Sequence, residues 1–308
     1  MASQQSVHQI CDSFVDEYAV ADPVAATMLG ISGYDDQLTD YSPEGYAARA
    51  SIARHALRAA EAAESADDGT RTAKAVFTER IGLELEIHEA GLDLASLNVI
   101  SSPLQQLRMV FDLVPTDTAE QWATIAARLA KVPAALVGAR TSLLAAADKG
   151  KVSALRQVTK VAEQAETWAG LHGQGGFFTT LVSGAKGVAE ELRGELDRQA
   201  RAAQEAYAEF AGFLRADLAS RAPTKDAVGE DVYRLWSRYF TGAALDLREA
   251  YEWGWAEFSR IEAEMVKVAG RIKPGATLAE TAAALDANER YLVRGKDAFE
   301  EWMQGLSD

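Results

Sequence analysis

Leu247, Tyr251, Gly254, Phe258, Ile261, Met265, Val268 and Ile272 recur at alternating spacings of four and three residues. An α-helix turns once in 3.6 residues, so this alternation brings all of them onto one face of a single long helix. Such a seam calls for a second helix lying along it, and it excludes a strand, whose side chains alternate with period two. The rest of the chain agrees. Ala, Leu, Glu and Arg dominate, there are only seven prolines in 308 residues, and strand signals are scarce. The fold expected is all-α, an array of antiparallel helices.

Local signals set where the helices begin and end. Val7, Cys11, Phe14 and Tyr18 share one face of a first helix, which must stop before Pro23 because proline disfavours helix in the preceding residue. Ser42 as N-cap with Pro43 at the first helical position opens an Ala-rich second helix, closed near Asp67-Asp68-Gly69. Phe77, Ile81, Leu85, His88 and Leu92 mark a third. Ser102 with Gln105, Thr118 with Gln121 and Thr277 with Glu280 each fit the box in which two side chains cap a helix start reciprocally. Pro133 is expected to bend or restart a helix. A glycine cluster, 170–176, precedes a long polar helix from about Val188 to Arg221, on which Asp197 and Arg201 are spaced to pair. The run 222–226, with Pro223 at its centre, is the best internal boundary, giving regions 1–222 and 223–308. Beyond it Val232, Leu235, Trp236, Tyr239, Phe240 and Ala243 form one apolar stripe. Tyr291, Phe299, Trp302, Met303 and Leu306 keep the last segment apolar, where a terminus is ordinarily polar and frayed, which favours a continuation.

Bulk properties exclude several functions. A formal charge of −15 opposes binding to nucleic acid, which needs clustered Lys and Arg. The first basic residue is Arg49, so no charged leader precedes an apolar segment, and no apolar run approaches spanning length. The single cysteine, Cys11, can form no internal disulfide. A cytoplasmic protein with no membrane or nucleic-acid partner is the expectation.

Residues 16–43 hold a helix stop at Pro23, a Gly33-Tyr34-Asp35-Asp36 loop and a Ser42-Pro43 restart. This stretch resembles the N-terminal signature of the bacterial Domain of Unknown Function 885 family. The resemblance continues through residues 102–113 and 239–265, and at family level covers essentially the whole chain. Members of that family are similar to zinc peptidases and carry a His-Glu pair followed shortly by Pro-Gly-His-His in their second half. Neither Pro-Gly-His-His nor HExxH occurs here, since His88-Glu89 is followed by Leu92 where a second histidine is needed. The resemblance therefore implies the N-terminal half of a peptide or amide hydrolase, folded as the helical half of a cleft-type zinc peptidase. It implies zinc in the complete protein, with this chain supplying cleft wall and substrate contacts.

Within the chain itself no catalytic or metal-binding residue is expected. Glu84 and His88 share a face but give at most two ligands, and His88 belongs to an apolar stripe. Cys11 sits on a buried face, where it behaves as a small hydrophobe. No Gly-x-Ser-x-Gly elbow is present, and His172-Gly173-Gln174-Gly175-Gly176 lacks the Gly-Lys-Ser/Thr ending of a phosphate loop. Off the apolar stripes stand Tyr233, Arg238 and Trp253, which are the substrate-cleft candidates: phenol and guanidinium can position a peptide carbonyl or carboxylate. The partner is then a peptide-like small substrate or the missing C-terminal half. The alternative is a non-catalytic helical module that binds a peptide or protein, and a third reading is a fragment stable only with its other half. A self-sufficient module has a polar exterior; a severed half exposes a large apolar patch.

Overall fold

A computed structural model of the chain describes residues 6–173 and 175–308, and among these no strand occurs. The chain divides into two compact units, Met1–Ala243 and Ala244–Asp308.

The first unit opens with α1 (Val7–Ala21) and α2 (Pro23–Met28), separated by Asp22, whose carboxylate caps the second. Then come α3 (Pro43–Ala62) and α4 (Asp68–Glu89). Asp67 accepts from the Thr70 amide, so the acidic run that closes one helix also starts the next. Alanines at 50, 53 and 60 let α3 lie close to its neighbours, where they pack with Val7, Ile10, Ile81 and Leu85. The helix expected to reach Leu92 ends at Glu89, with Gly91 at a left-handed φ of 63°.

The main core lies in α5 (Pro103–Met109), α6 (Ala119–Leu129), α7 (Val132–Ala147), α8 (Leu155–Ala169), α9 (Phe177–Ser183) and α10 (Glu190–Phe213). All three reciprocal caps read from the sequence form. At the centre Phe178 meets Phe111 edge-on at 5.6 Å and lies 5.2 Å from the ring of Tyr207, whose hydroxyl donates to the Leu104 carbonyl at 2.9 Å. α10 continues through a π turn, Leu214–Leu218, into α11 (Ala219–Arg221). The expected Asp197–Arg201 pair is not among the ion pairs; on the same helix Arg198 pairs with Glu195 instead.

One expectation needs correcting. Ala119–Ala147 has the length and mean hydropathy, 1.2, of a membrane span. It is two helices broken before Pro133, and Ile125, Leu129, Val132, Leu136 and Leu143 are buried in the main core.

The segment at Pro223 does not separate the units. The Leu155 amide donates to the Pro223 carbonyl at 2.8 Å and Arg156 pairs with Asp226 at 2.9 Å. The following α12 (Glu230–Thr241) is held to α4 through Arg238. The division thus falls after Ala243, about one short helix beyond the proline, because these polar ties bind 223–241 to the first unit.

The second unit contains α13 (Leu247–Ile272), α14 (Leu278–Asp286) and α15 (Lys296–Ser307). The seam is there as a continuous helical face, but it is not packed along its length as expected. Tyr251, Phe258, Ile261, Met265, Val268 and Ile272 are all exposed, and Ala269 is the one buried residue of α13.

Candidate functional site

A cavity of about 290 Å³ opens in the first unit where α1, α3, α4, the loop before α5, and α12 converge. Each wall is placed by a local feature of the sequence. The helix stop at Pro23 brings Tyr18 and Asp22 to the end of α1. The Asp22 carboxylate is anchored there through Oδ1, which accepts from the Ala25 amide at 3.0 Å and the Thr39 hydroxyl at 2.5 Å. Tyr41 precedes the Ser42 cap, and its hydroxyl donates to Gln106 Oε1 at 2.9 Å. The segment carrying it passes so close to α7 that a Cβ on Gly138 would lie 2.9 Å from the Ser42 nitrogen.

α3 contributes Tyr46 and Arg49. Arg49 is only 6 % exposed. Its Nη1 donates to the carbonyls of Asp40 at 2.8 Å and Ala21 at 3.4 Å, and the guanidinium lies 4.6 Å from the Tyr46 ring centre. No carboxylate among the described residues forms an ion pair with it. α4 contributes Glu84 and His88, one turn apart. His88 Nδ1 shares a hydrogen bond with Asp93 Oδ2 at 2.6 Å, while Asp93 Oδ1 accepts from the Leu94 amide. His88, expected on an apolar stripe, lines the cavity. Glu84 has no hydrogen bond or ion pair with any described residue. Glu84 is an exposed residue of α4, yet the protein around it desolvates the carboxylate enough to raise its pKa, opposed by the charge of Arg80.

α12 closes the remaining side with Trp236 and Tyr239. Arg80 donates to the Tyr239 carbonyl at 2.7 Å and stacks 4.7 Å from its ring centre. Burial pushes the phenols of Tyr18, Tyr41 and Tyr46 upward, so all three are neutral hydrogen-bond donors at physiological pH.

The three residues expected from the sequence stand elsewhere. Tyr233 is 58 % exposed on α12, outside the lining. Arg238 forms ion pairs with Glu79 at 2.6 Å and Glu86 at 2.9 Å, so its charge is consumed in holding α12 to α4. Trp253, on α13 in the second unit, is exposed. Trp236 and Tyr239, assigned to an apolar stripe, are the α12 residues that reach the cavity. Of the Gly-rich loop after α8, Gln174 lies outside the described residues. Among the described residues no group of three or more His, Cys, Asp or Glu could hold a metal ion.

A sequence family described as "Bacterial protein of unknown function (DUF885)" matches residues 23–308. No curated protein matches. Among solved structures, a protein described as a candidate lipoprotein from Colwellia psychrerythraea superposes with a TM-score of 0.77 at 17% identity, covering 98% of this chain and 58% of its own. Another from Shewanella oneidensis, described as a candidate lipoprotein of unknown function, gives 0.65 at 15%, over 88% and 48%. At such identities the likeness is one of fold. The present chain spans about half the length of each.

Proposed function

The chain belongs to the DUF885 family of bacterial proteins of unknown function, and from that premise we propose that it is the helical, substrate-binding part of a peptide- or amide-cleaving enzyme. The carrying observation is the cavity: hydroxyls, a buried guanidinium and a carboxylate converge there with hydrogen-bonding capacity that no described residue uses. Polar groups left open in a concave site are what a small polar ligand requires. In this reading the zinc and its ligands belong to polypeptide other than residues 1–308, and this chain supplies the wall that grips the substrate.

The exposed seam of α13 supports the same view. Six large apolar residues on one helical face are costly in water and suited to cover by further protein. A self-sufficient binding module accounts for the cavity but not for that face. The test is calorimetry and zinc analysis on the purified chain, with short unblocked peptides as ligand. Peptide should bind without being hydrolysed, with or without added zinc. Stoichiometric zinc with turnover, or no binding of any peptide, would sink the reading.

A further inference from the structure

We infer that the cavity is a site for a small zwitterion of the amino-acid or dipeptide class, its carboxylate on Arg49 and its ammonium on Glu84. This rests on the reading of the cavity as a peptide-ligand site and narrows it to ligands with both charges free.

A guanidinium removed from water is strongly unfavourable unless an anion meets it. Arg49 is more than nine-tenths buried, yet its partners are two neutral carbonyls and an aromatic face. Its remaining guanidinium nitrogens have no partner among the described residues, and they are not sealed in protein, since the fully occluded unpaired nitrogens are those of Arg108 and Arg128. They are open to the cavity that Arg49 lines. The planar fork of N–H donors matches a carboxylate better than any other small anion of peptide chemistry.

Glu84 supplies the opposite charge. Of the carboxylates lining the cavity, Asp22 is held through Oδ1 by Thr39 and Ala25, and Asp93 through both oxygens by His88 and Leu94. Glu84 alone has neither oxygen engaged by a described residue, and it carries the charge with the most freedom to meet a ligand. Arg49 and Glu84 line the same cavity, together with Tyr18. They form no ion pair with each other; Arg49 is tethered to the Asp40 and Ala21 carbonyls, and Glu84 is fixed on α4. Opposite charges lining one cavity, neither in an ion pair with a described residue, are complementary to a molecule carrying both. A volume of about 290 Å³ sits at the lower end of ligand pockets, which run from roughly 300 to 1,000 Å³.

Calorimetry on the full chain with alanyl-alanine, its N-acetyl derivative and its C-terminal amide tests this. The free dipeptide should bind, and each blocked form should bind at least about tenfold more weakly, the loss expected for one charged contact. Glu84→Gln should weaken the free dipeptide similarly while leaving the N-acetyl form unchanged. Arg49→Lys should do the same with respect to the amide. If Arg49→Lys does not fold, the ligand series and Glu84→Gln still decide. Blocked and free forms binding equally, or no dipeptide binding while longer peptides do, would overturn the zwitterion site and leave the peptide-binding reading standing. No binding of any peptide, dipeptides included, would overturn both the site and that reading.

Discussion

Arg128 shows how much one buried side chain decides. It is fully buried at the end of α6, where its Nε donates to the Gln37 carbonyl at 3.0 Å and its Nη2 to the Tyr34 carbonyl and the Thr27 hydroxyl at 2.9 and 2.7 Å. Lys131, one turn on, donates to the Asp36 carbonyl at 2.7 Å. The Gly33-Tyr34-Asp35-Asp36 loop is legible as a loop from its glycine and acids, but nothing local says that cations some ninety residues later hold it. Burial lowers the Arg128 pKa to about 10, with Asp35 and Asp36 opposing the shift. The group is therefore still charged at neutral pH. Its folded value lies below its unfolded one, so stability rises with pH only above about 10 and the burial penalty is constant below. Arg128→Met should destabilise the chain by about 2–4 kcal/mol, because three acceptors lose their donor in a dry site. Urea unfolding would show the midpoint falling at constant slope. A neutral or stabilising result would mean that dehydrating the guanidinium outweighs its bonds.

At the scale of the element, α12 is the informative case. Its amphipathic stripe is plain in the sequence, yet Phe240 is 79 % exposed while Trp236 and Tyr239 face the cavity. Periodicity fixes which residues share a face but not what the face meets. The partner is chosen by Arg238, whose two carboxylates lie on α4. Arg238→Gln should loosen α12 and weaken ligand binding although Arg238 does not line the cavity, and high salt should partly reproduce the effect on the native protein. The pH dependence has a definite sign. The hydrogen bond from Arg238 lowers the Glu79 pKa, so this stabilisation is complete above the ordinary glutamate range and is lost as pH falls through the depressed value. Glu84, raised by burial, acts oppositely: protonation relieves a penalty. Comparing native and Arg238→Gln unfolding across acid pH should show the difference between them shrinking toward low pH. A difference independent of pH would remove Glu79 from the account.

Across the whole molecule, the exposed seam dominates behaviour in solution. Phe258, Ile261, Met265, Val268 and Ile272 on α13, with Phe299, Trp302, Met303 and Leu306 on α15, present large apolar side chains to water. The chain should self-associate with increasing concentration in sedimentation experiments despite its net charge of −15. Phe258→Glu combined with Met265→Glu should suppress this with little change in unfolding midpoint, because neither side chain is buried. A strictly monomeric native chain at high concentration would contradict the importance given to the seam.

The sequence by itself determined many of the helix starts, since capping boxes at Ser102, Thr118 and Thr277, the proline restarts and the 3.6-residue periodicity act over one or two turns, but not every end: the helix expected to reach Leu92 stops at Glu89. It also determined the all-α class. Only the tertiary structure decided which polar residues share a cavity. Tyr18, Arg49, Glu84, His88 and Trp236 are scattered over more than two hundred positions and carry no common spacing. In the sequence Arg49 stands out only as the first basic residue, and Arg238 as a cleft candidate. Burial beside carbonyls leaves one unneutralised at a cavity, and two glutamates consume the other, a distinction made by long-range packing alone.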